Sequence, residues 1–250
     1  MLKLEFNKQF LEAAQKFGDV LKITYKYYRQ TKVAAKGHKH IKPADLFTIS
    51  KAWAHDLVKR SGFKLTATGE AQVETPHIFV GNHLSYLDIA ILMTRAPAVF
   101  VAKNEIKKWP LFGSAAKVSG TMFVKRGSKK SRKKTNESIG EAVLKRKQSV
   151  IIFPSGTTCL DESKPWRWGA FEIAKKFDIP VQPFRLTYKP LRETAFIGND
   201  LLIPHMLRLF SLPDVTITLE FGNSFFVKDV KEDCDRVRLW TQEWFLGDKK

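Results

Sequence analysis

The sequence predicts an α/β fold, a largely parallel central sheet flanked by helices, preceded by an N-terminal two-helix amphipathic hairpin. Three observations carry this. Up to Leu57 the apolar residues recur every three to four positions, which is helical spacing. From Lys64 onward short apolar runs of strand length take over. Those runs are separated by helix-period segments, the pattern left by crossover connections between parallel strands.

In the hairpin, Phe6, Phe10, Ala13, Phe17, Leu21 and Tyr25 form the first stripe, with Lys3, Lys8, Lys16, Lys22, Lys26 and Arg29 interspersed. The segment Gly37 to Pro43 breaks it. Leu46, Ile49, Trp53 and Leu57 repeat the pattern beside Lys51, Lys59 and Arg60, and Ser61-Gly62 ends the second helix. Strands are predicted at Ile78–Val80, Ala98–Val101, Met122–Val124, Ser149–Phe153, Val181–Tyr188 and Val215–Leu219. Helices are predicted at Tyr86–Thr94, Trp109–Val118, Ser131–Lys147 and Trp166–Phe177. The division is residues 1–62 for the hairpin and 63–250 for the α/β domain. The hairpin stripe suits two ends: covering the core of the domain, or dipping aromatic side chains into a lipid interface while Lys and Arg meet headgroups.

With 250 residues the chain holds one ordinary domain with length to spare. A formal net charge of +18 implies an anionic partner without choosing among lipid, nucleic acid, acidic protein and phosphorylated metabolite. Helix-turn-helix, zinc-finger and RNA-binding signatures are absent, so nucleic acid is not expected as a partner. Cys159 and Cys234 are too few for a disulfide framework or a cysteine zinc site, which makes a reducing, cytoplasmic setting the default. No apolar stretch reaches the roughly 18 to 20 residues needed to span a bilayer. The expectation is a peripheral protein on the inner face of the membrane.

The segment Ile78-Phe79-Val80-Gly81-Asn82-His83-Leu84-Ser85-Tyr86-Leu87-Asp88 carries the most chemistry. An apolar strand delivers Asn82 and His83 into a turn, and a carboxylate follows five residues after the histidine. Along one continuous helix such a pair would point about 140° apart, so His83 must precede the helix and Asp88 lie in its first turn. Ser85-x-x-Asp88 ahead of Ile89-Ala90-Ile91-Leu92 is a capping-box signature that starts a helix there. The imidazole can then take a proton from a hydroxyl while the carboxylate fixes its tautomer. The competing role is structural, with Asp88 a helix cap and His83 a turn residue. A second His-x4-Asp, His40 to Asp45, lacks a leading strand and contains Pro43; it reads as a linker entering a helix.

Two further segments fit an anion. Arg126 closes the strand Met122-Phe123-Val124, where a guanidinium can grip a phosphate with paired donors; its other reading is one surface charge among Lys129, Lys130, Arg132, Lys133 and Lys134. Phe153-Pro154-Ser155-Gly156-Thr157-Thr158 ends the most apolar strand in a turn of backbone N–H groups and hydroxyls, and reads equally as a plain strand-ending loop.

Taken together, Asn82-His83-x4-Asp88, Gly120-x-x-Phe123-x-x-Arg126, Phe153-Pro154-x-Gly156-Thr157 and Ile179-Pro180-Val181-x-Pro183 resemble, in order and at similar spacing, the four blocks of the glycerophospholipid acyltransferases of PlsC type. The resemblance covers about Ile78 to Phe184. Val101 to Ile106 and Trp166 to Phe171 are similar to further segments of that family. It implies a glycerolphosphate-acyltransferase-like fold and transfer of an acyl chain from acyl-CoA or acyl carrier protein to the free hydroxyl of a lysophospholipid. The typical acceptor is 1-acylglycerol 3-phosphate, giving phosphatidic acid. By position it implies His83 as base, Asp88 as its orienting partner, and Asn82, Arg126 and the Phe153–Thr157 turn at the acceptor, with Lys103 a further candidate for the phosphate. No metal and no cofactor beyond the thioester co-substrate are implied. A lipid acceptor also makes an anionic membrane surface the expected partner of the hairpin.

The third block departs from the family. Members usually carry Phe-Pro-Glu-Gly-Thr-Arg, and this chain has Ser155 and Thr158 in place of the carboxylate and the guanidinium. Arg167 or Lys164 is then expected to supply the missing charge, or the acceptor is a different lysolipid, such as an amino-acid-based one. The alternative from another class is a basic, non-catalytic lipid-binding protein.

Overall fold

The computed structural model describes residues 2–37, 41–125 and 129–247. Two helices lead, α1 (Leu2–Ala34) and α2 (Pro43–Ser61), followed by β1 (Lys64–Thr68), β2 (Ile78–Gly81), α3 (Leu87–Met93) and β3 (Ala98–Lys103). A 3-10 turn at Asn104–Lys108 precedes α4 (Phe112–Val118), β4 (Met122–Val124), α5 (Lys129–Leu144) and β5 (Ser149–Ile152). Then come α6 (Gly169–Phe177), β6 (Val181–Lys189), α7 (Leu191–Thr194), α8 (Leu202–Ser211), β7 (Thr216–Phe221) and α9 (Val230–Gly247).

The strands form one seven-stranded sheet in the order β1-β7-β6-β2-β5-β3-β4. Among the described strands only β6 and β7 pair antiparallel; every other neighbouring pair is parallel. The expected α/β architecture is therefore present. Strand β2, central and between two parallel neighbours, is buried at all four positions, as a strand covered on both faces must be. Its side chains alternate between two cores. Phe79 joins the cluster beneath α1, α2, α3 and α8, while Ile78 and Val80 join the cluster beneath α5, α6 and α9.

Strand β1 escapes the sequence reading because Lys64-Leu65-Thr66-Ala67-Thr68 lies at the sheet edge with alternate positions exposed, so it needs no apolar run. The helix expected over Trp109–Val118 begins only at Phe112, after Pro110 and a Leu111 held at φ 60, and the 3-10 turn at Asn104–Lys108 lies ahead of the expected range. Helices α7, α8 and α9 lie outside the helices expected from the sequence.

The hairpin docks on the domain. Ala13 and Val20 of α1 and Ala54, Leu57 and Val58 of α2 share one buried cluster with Phe79, Leu84 and Ile91. Its helices are tied by Trp53 Nε1–H donating to Thr24 Oγ1 at 3.2 Å, by Tyr27 O–H donating to Asp56 Oδ2 at 2.7 Å, and by the Arg60–Asp19 ion pair. Gly62, at φ 76, ends α2 with its N–H on Lys59 O, a conformation that strains a residue bearing Cβ. The inward face of α1 is Ala13, Val20, Thr24, Tyr27 and Thr31, whereas Phe10 and Tyr25 of the expected stripe are half exposed, beside Leu11 at 67%. Among the described residues, no helix is long and apolar enough to cross a membrane.

Candidate active site

The sheet register builds the site. Val80 of β2 pairs with Ile152 of β5, so the residues that follow the two strands, Asn82-His83 and Phe153-Pro154, leave the sheet side by side. The imidazole of His83 stacks on the Phe153 ring, centroids 3.9 Å apart and planes 12° from parallel. The approach of β2 to β6 leaves no room for a side chain at Gly81, whose Cβ would run into Phe184 O.

Asp88 stands in the first turn of α3, completely buried. Its Oδ2 accepts from His83 Nδ1 at 2.6 Å and from the backbone N–H groups of Leu84 and Ser85 at 2.8 and 3.0 Å. Its Oδ1 accepts from the Tyr188 hydroxyl at 2.5 Å. The two roles read for Asp88 thus coexist: the carboxylate reaches back over the helix start and also holds the imidazole. The reciprocal half of the capping box does not form, since Ser85 Oγ is buried with no hydrogen-bond partner among the described residues. Because a carboxylate only accepts, the His83 proton sits on Nδ1 and the lone pair on Nε2. His83 remains 20% exposed.

That ring lines a cavity of about 310 Å³ between the hairpin and the domain. Its walls are mainly apolar, with Trp53 and Leu57 from α2, Ala90 and Met93 from α3, and Met206 and Phe210 from α8. Tyr86 lines it too, and its hydroxyl donates to Nδ1 of buried His205 at 3.0 Å. His205 Nε2–H donates to Ala195 O at 2.9 Å, and burial holds its pKa below the usual value. Burial also pushes the phenols of Tyr86 and Tyr188 up.

A second carboxylate meets the backbone of His83. Glu162, 2% exposed, accepts from His83 N–H at 3.2 Å through Oε1 and from Trp166 Nε1–H at 2.6 Å through Oε2. Burial raises its pKa against the pull of these donors. Cys159, whose N–H donates to His83 O at 2.9 Å, has its thiol pushed up to about 12, by burial first and then by Glu162, and so stays protonated at neutral pH.

A family model described as Acyltransferase matches residues 63–187, half of the chain. The chain belongs to the acyltransferase family. Over 166 residues it is 35% identical to the lyso-ornithine lipid O-acyltransferase of Pseudomonas aeruginosa, covering 64% of this chain and 63% of that one. It is 29% identical to the enzyme of the same name from Rhizobium meliloti, covering 70% and 66%. It is 30% identical to a 1-acyl-sn-glycerol-3-phosphate acyltransferase of Neisseria gonorrhoeae, covering 65% and 64%. The chain thus spans a little under two thirds of the length of these relatives. The crystal structure of the acyltransferase PlsC from Thermotoga maritima superposes with a TM-score of 0.71 over 98% of both chains at 16% identity, which places the fold.

Against this acyltransferase frame the expected site residues separate. His83, Lys103, Phe153, Gly156 and Thr157 line the cavity, and Lys103 Nζ lies 3.5 Å from Thr157 Oγ1. Gly156 closes the turn at φ 68 with its N–H on Phe153 O. Asn82, expected at the acceptor, is instead fully buried, its amide spent on Leu186: Nδ2–H donates to Leu186 O and Oδ1 accepts from Leu186 N–H, both at 2.8 Å. Pro154 and Ser155 lie outside the cavity wall; Pro154 O accepts from Arg167 N–H, and Ser155 Oγ–H donates to Thr157 O. Arg167 is exposed and does not line the cavity either, so it does not replace the missing guanidinium there. Arg126, like His40, lies outside the described residues. Tyr188 and Glu162 were not legible in the sequence, because each reaches the dyad from a distant part of the chain without a local pattern.

Proposed function

We propose that this protein transfers an acyl chain from a thioester, acyl-CoA or acyl carrier protein, to the free hydroxyl of a membrane lysolipid, with His83 as general base. The observation that carries the reading is the 2.6 Å bond from His83 Nδ1 to Asp88 Oδ2 on a ring that lines an apolar cavity. The bond leaves Nε2 basic. A lysolipid hydroxyl there gives its proton to Nε2 as its oxygen attacks the thioester carbonyl carbon. The C–S bond then breaks, the thiolate takes the proton from the imidazolium, and an ester and a free thiol result. Asp88 keeps its proton-free acceptor role throughout and stabilises the imidazolium. The steps run through side chains, with the thioester as co-substrate and no metal or resident cofactor. The apolar cavity suits an acyl chain.

For the acceptor, a lysolipid with an amino-acid headgroup is the first reading. Thr158 stands where the family's phosphate-gripping arginine is usual, and two of the most similar relatives are named for lyso-ornithine lipid. Lys103 at the cavity wall suits a headgroup carboxylate. The second reading, 1-acylglycerol 3-phosphate, is favoured by the Neisseria relative and by Arg126 in the second block. The protein works at the inner membrane surface, held by its basic hairpin.

The test supplies one acyl-CoA with lyso-ornithine lipid or lysophosphatidic acid and follows free thiol. Turnover should favour the first acceptor and fall by about 10² to 10⁴ in His83→Ala. Full turnover in that variant removes His83 as base, and salt-sensitive lipid binding without turnover in the wild type favours the non-catalytic alternative.

A further inference from the structure

The main chain of His83 is held from both sides by one loop, the segment between β5 and α6. Cys159 N–H donates to His83 O, and Glu162 Oε1 accepts from His83 N–H. Glu162 is itself pinned by the buried indole of Trp166, and its own carbonyl accepts from Arg238 Nη1 of α9 at 2.9 Å. Ser155 leaves the preceding turn without the carboxylate usual in the family, and Glu162 is a buried one supplied by the same loop. We propose that Glu162 is a positioning residue for His83: it fixes the backbone that carries the imidazole, and its carboxylate at that backbone attracts the imidazolium as it forms.

This inference rests on the acyltransferase reading. Its physical core is a conflict between fold and charge. A carboxylate at 2% exposure is cheaper to keep neutral, and burial accordingly raises its pKa. Trp166, the His83 N–H and the Cys159 thiol all pull the other way, toward the charged form. A group with a raised pKa favours the fold below its ordinary pKa and loses that contribution as pH rises through the raised value. Ionised Glu162 therefore costs stability, and what it offers in return is attraction to a protonated His83. The titratable groups that act on it are His83 from the β2–α3 turn and Cys159 from its own loop; Asp88 and Asp161 act on that thiol, and Arg238 of α9, with its ion partner Asp235, holds the Glu162 carbonyl.

Glu162→Gln keeps the shape and removes the charge. The full-length variant is expected to melt at the same or a higher temperature than wild type above neutral pH, while kcat falls about tenfold and the acceptor KM stays within about twofold. The affinity of His83 for a proton, read by NMR titration of its ring proton with His83→Ala giving the assignment, is expected to drop by about threefold or more. A lowered melting temperature with unchanged His83 titration assigns Glu162 to structure alone and overturns the proposal. If Glu162→Gln does not fold, Trp166→Phe keeps the carboxylate but removes a donor, and the acid limb of the pH–rate profile should move to higher pH; an unmoved limb overturns the proposal. Should the wild type turn over no lysolipid, the acyltransferase reading fails, yet the His83 titration still decides whether Glu162 acts on that ring.

Discussion

The hydroxyl of Tyr188 on β6 meets Oδ1 of Asp88 at 2.5 Å, one hundred residues away in sequence, and completes the hydrogen bonding of a carboxylate that water does not reach. The other oxygen is shared by His83 and two backbone N–H groups. Tyr188→Phe leaves Oδ1 unpaired at a site with no exposure, at a cost of about 1 to 3 kcal/mol in stability. The variant should unfold at lower urea and show a reduced kcat with acceptor KM unchanged. A wild-type kcat in the folded variant would mean that the dyad does not depend on this donor.

Asn82 gives a sharper separation of structure from binding. Because both amide atoms are bonded to Leu186, Asn82→Ala should strand a buried N–H and a buried C=O and lower stability by about 2 kcal/mol or more. Acceptor KM should move little. A raised acceptor KM with an unchanged melting temperature would instead restore the substrate contact suggested by its place in the first block.

How far the site was legible follows from range. His83 and Asp88 are five residues apart, and both the strand before them and the helix after them are written in local apolar periodicity, so their meeting is readable. The Phe153 turn is readable for the same reason, as the end of an apolar strand. Tyr188 and Glu162 depend on sheet order and loop path, which no local period encodes. In sequence, an amide beside this histidine serves equally as ligand or as brace; the bracing of Leu186 on the neighbouring strand is seen only in the fold. The edge strand β1 and the inward face of α1 share this cause, since what covers a residue is a tertiary fact.

The outward face of α1 bears on membrane docking. Phe10 and Leu11 are 53% and 67% exposed, beside exposed Lys8, while Ala13 and Val20 hold the helix to the core. Deleting the hairpin would strip one wall from the cavity, so point changes test docking more cleanly. Phe10→Glu with Leu11→Glu should lower recovery in flotation with anionic liposomes about tenfold or more, equivalent to about 1.4 kcal/mol, and leave the melting temperature nearly unchanged. Undiminished flotation would move the docking surface elsewhere.

Stability should also depend on pH through His205 and His77. Both are buried, and burial lowers the pKa of each below its ordinary value. In the unfolded chain each takes up a proton near pH 6.5, whereas in the fold each resists it. A depressed pKa of this kind means stability is intact above about pH 6.5 and lost as pH falls through the folded value, with a slope of at most about 1.4 kcal/mol per pH unit for each histidine. His205 carries the larger functional consequence. Its Nδ1 accepts the Tyr86 hydroxyl, and a protonated ring cannot accept, so acidification removes the partner of a residue in the cavity wall. Melting temperature measured between pH 7.5 and 5 should fall steadily in the wild type and less steeply in His205→Gln, whatever its absolute stability. Equal slopes in the two proteins would show that His205 is not held neutral by the fold.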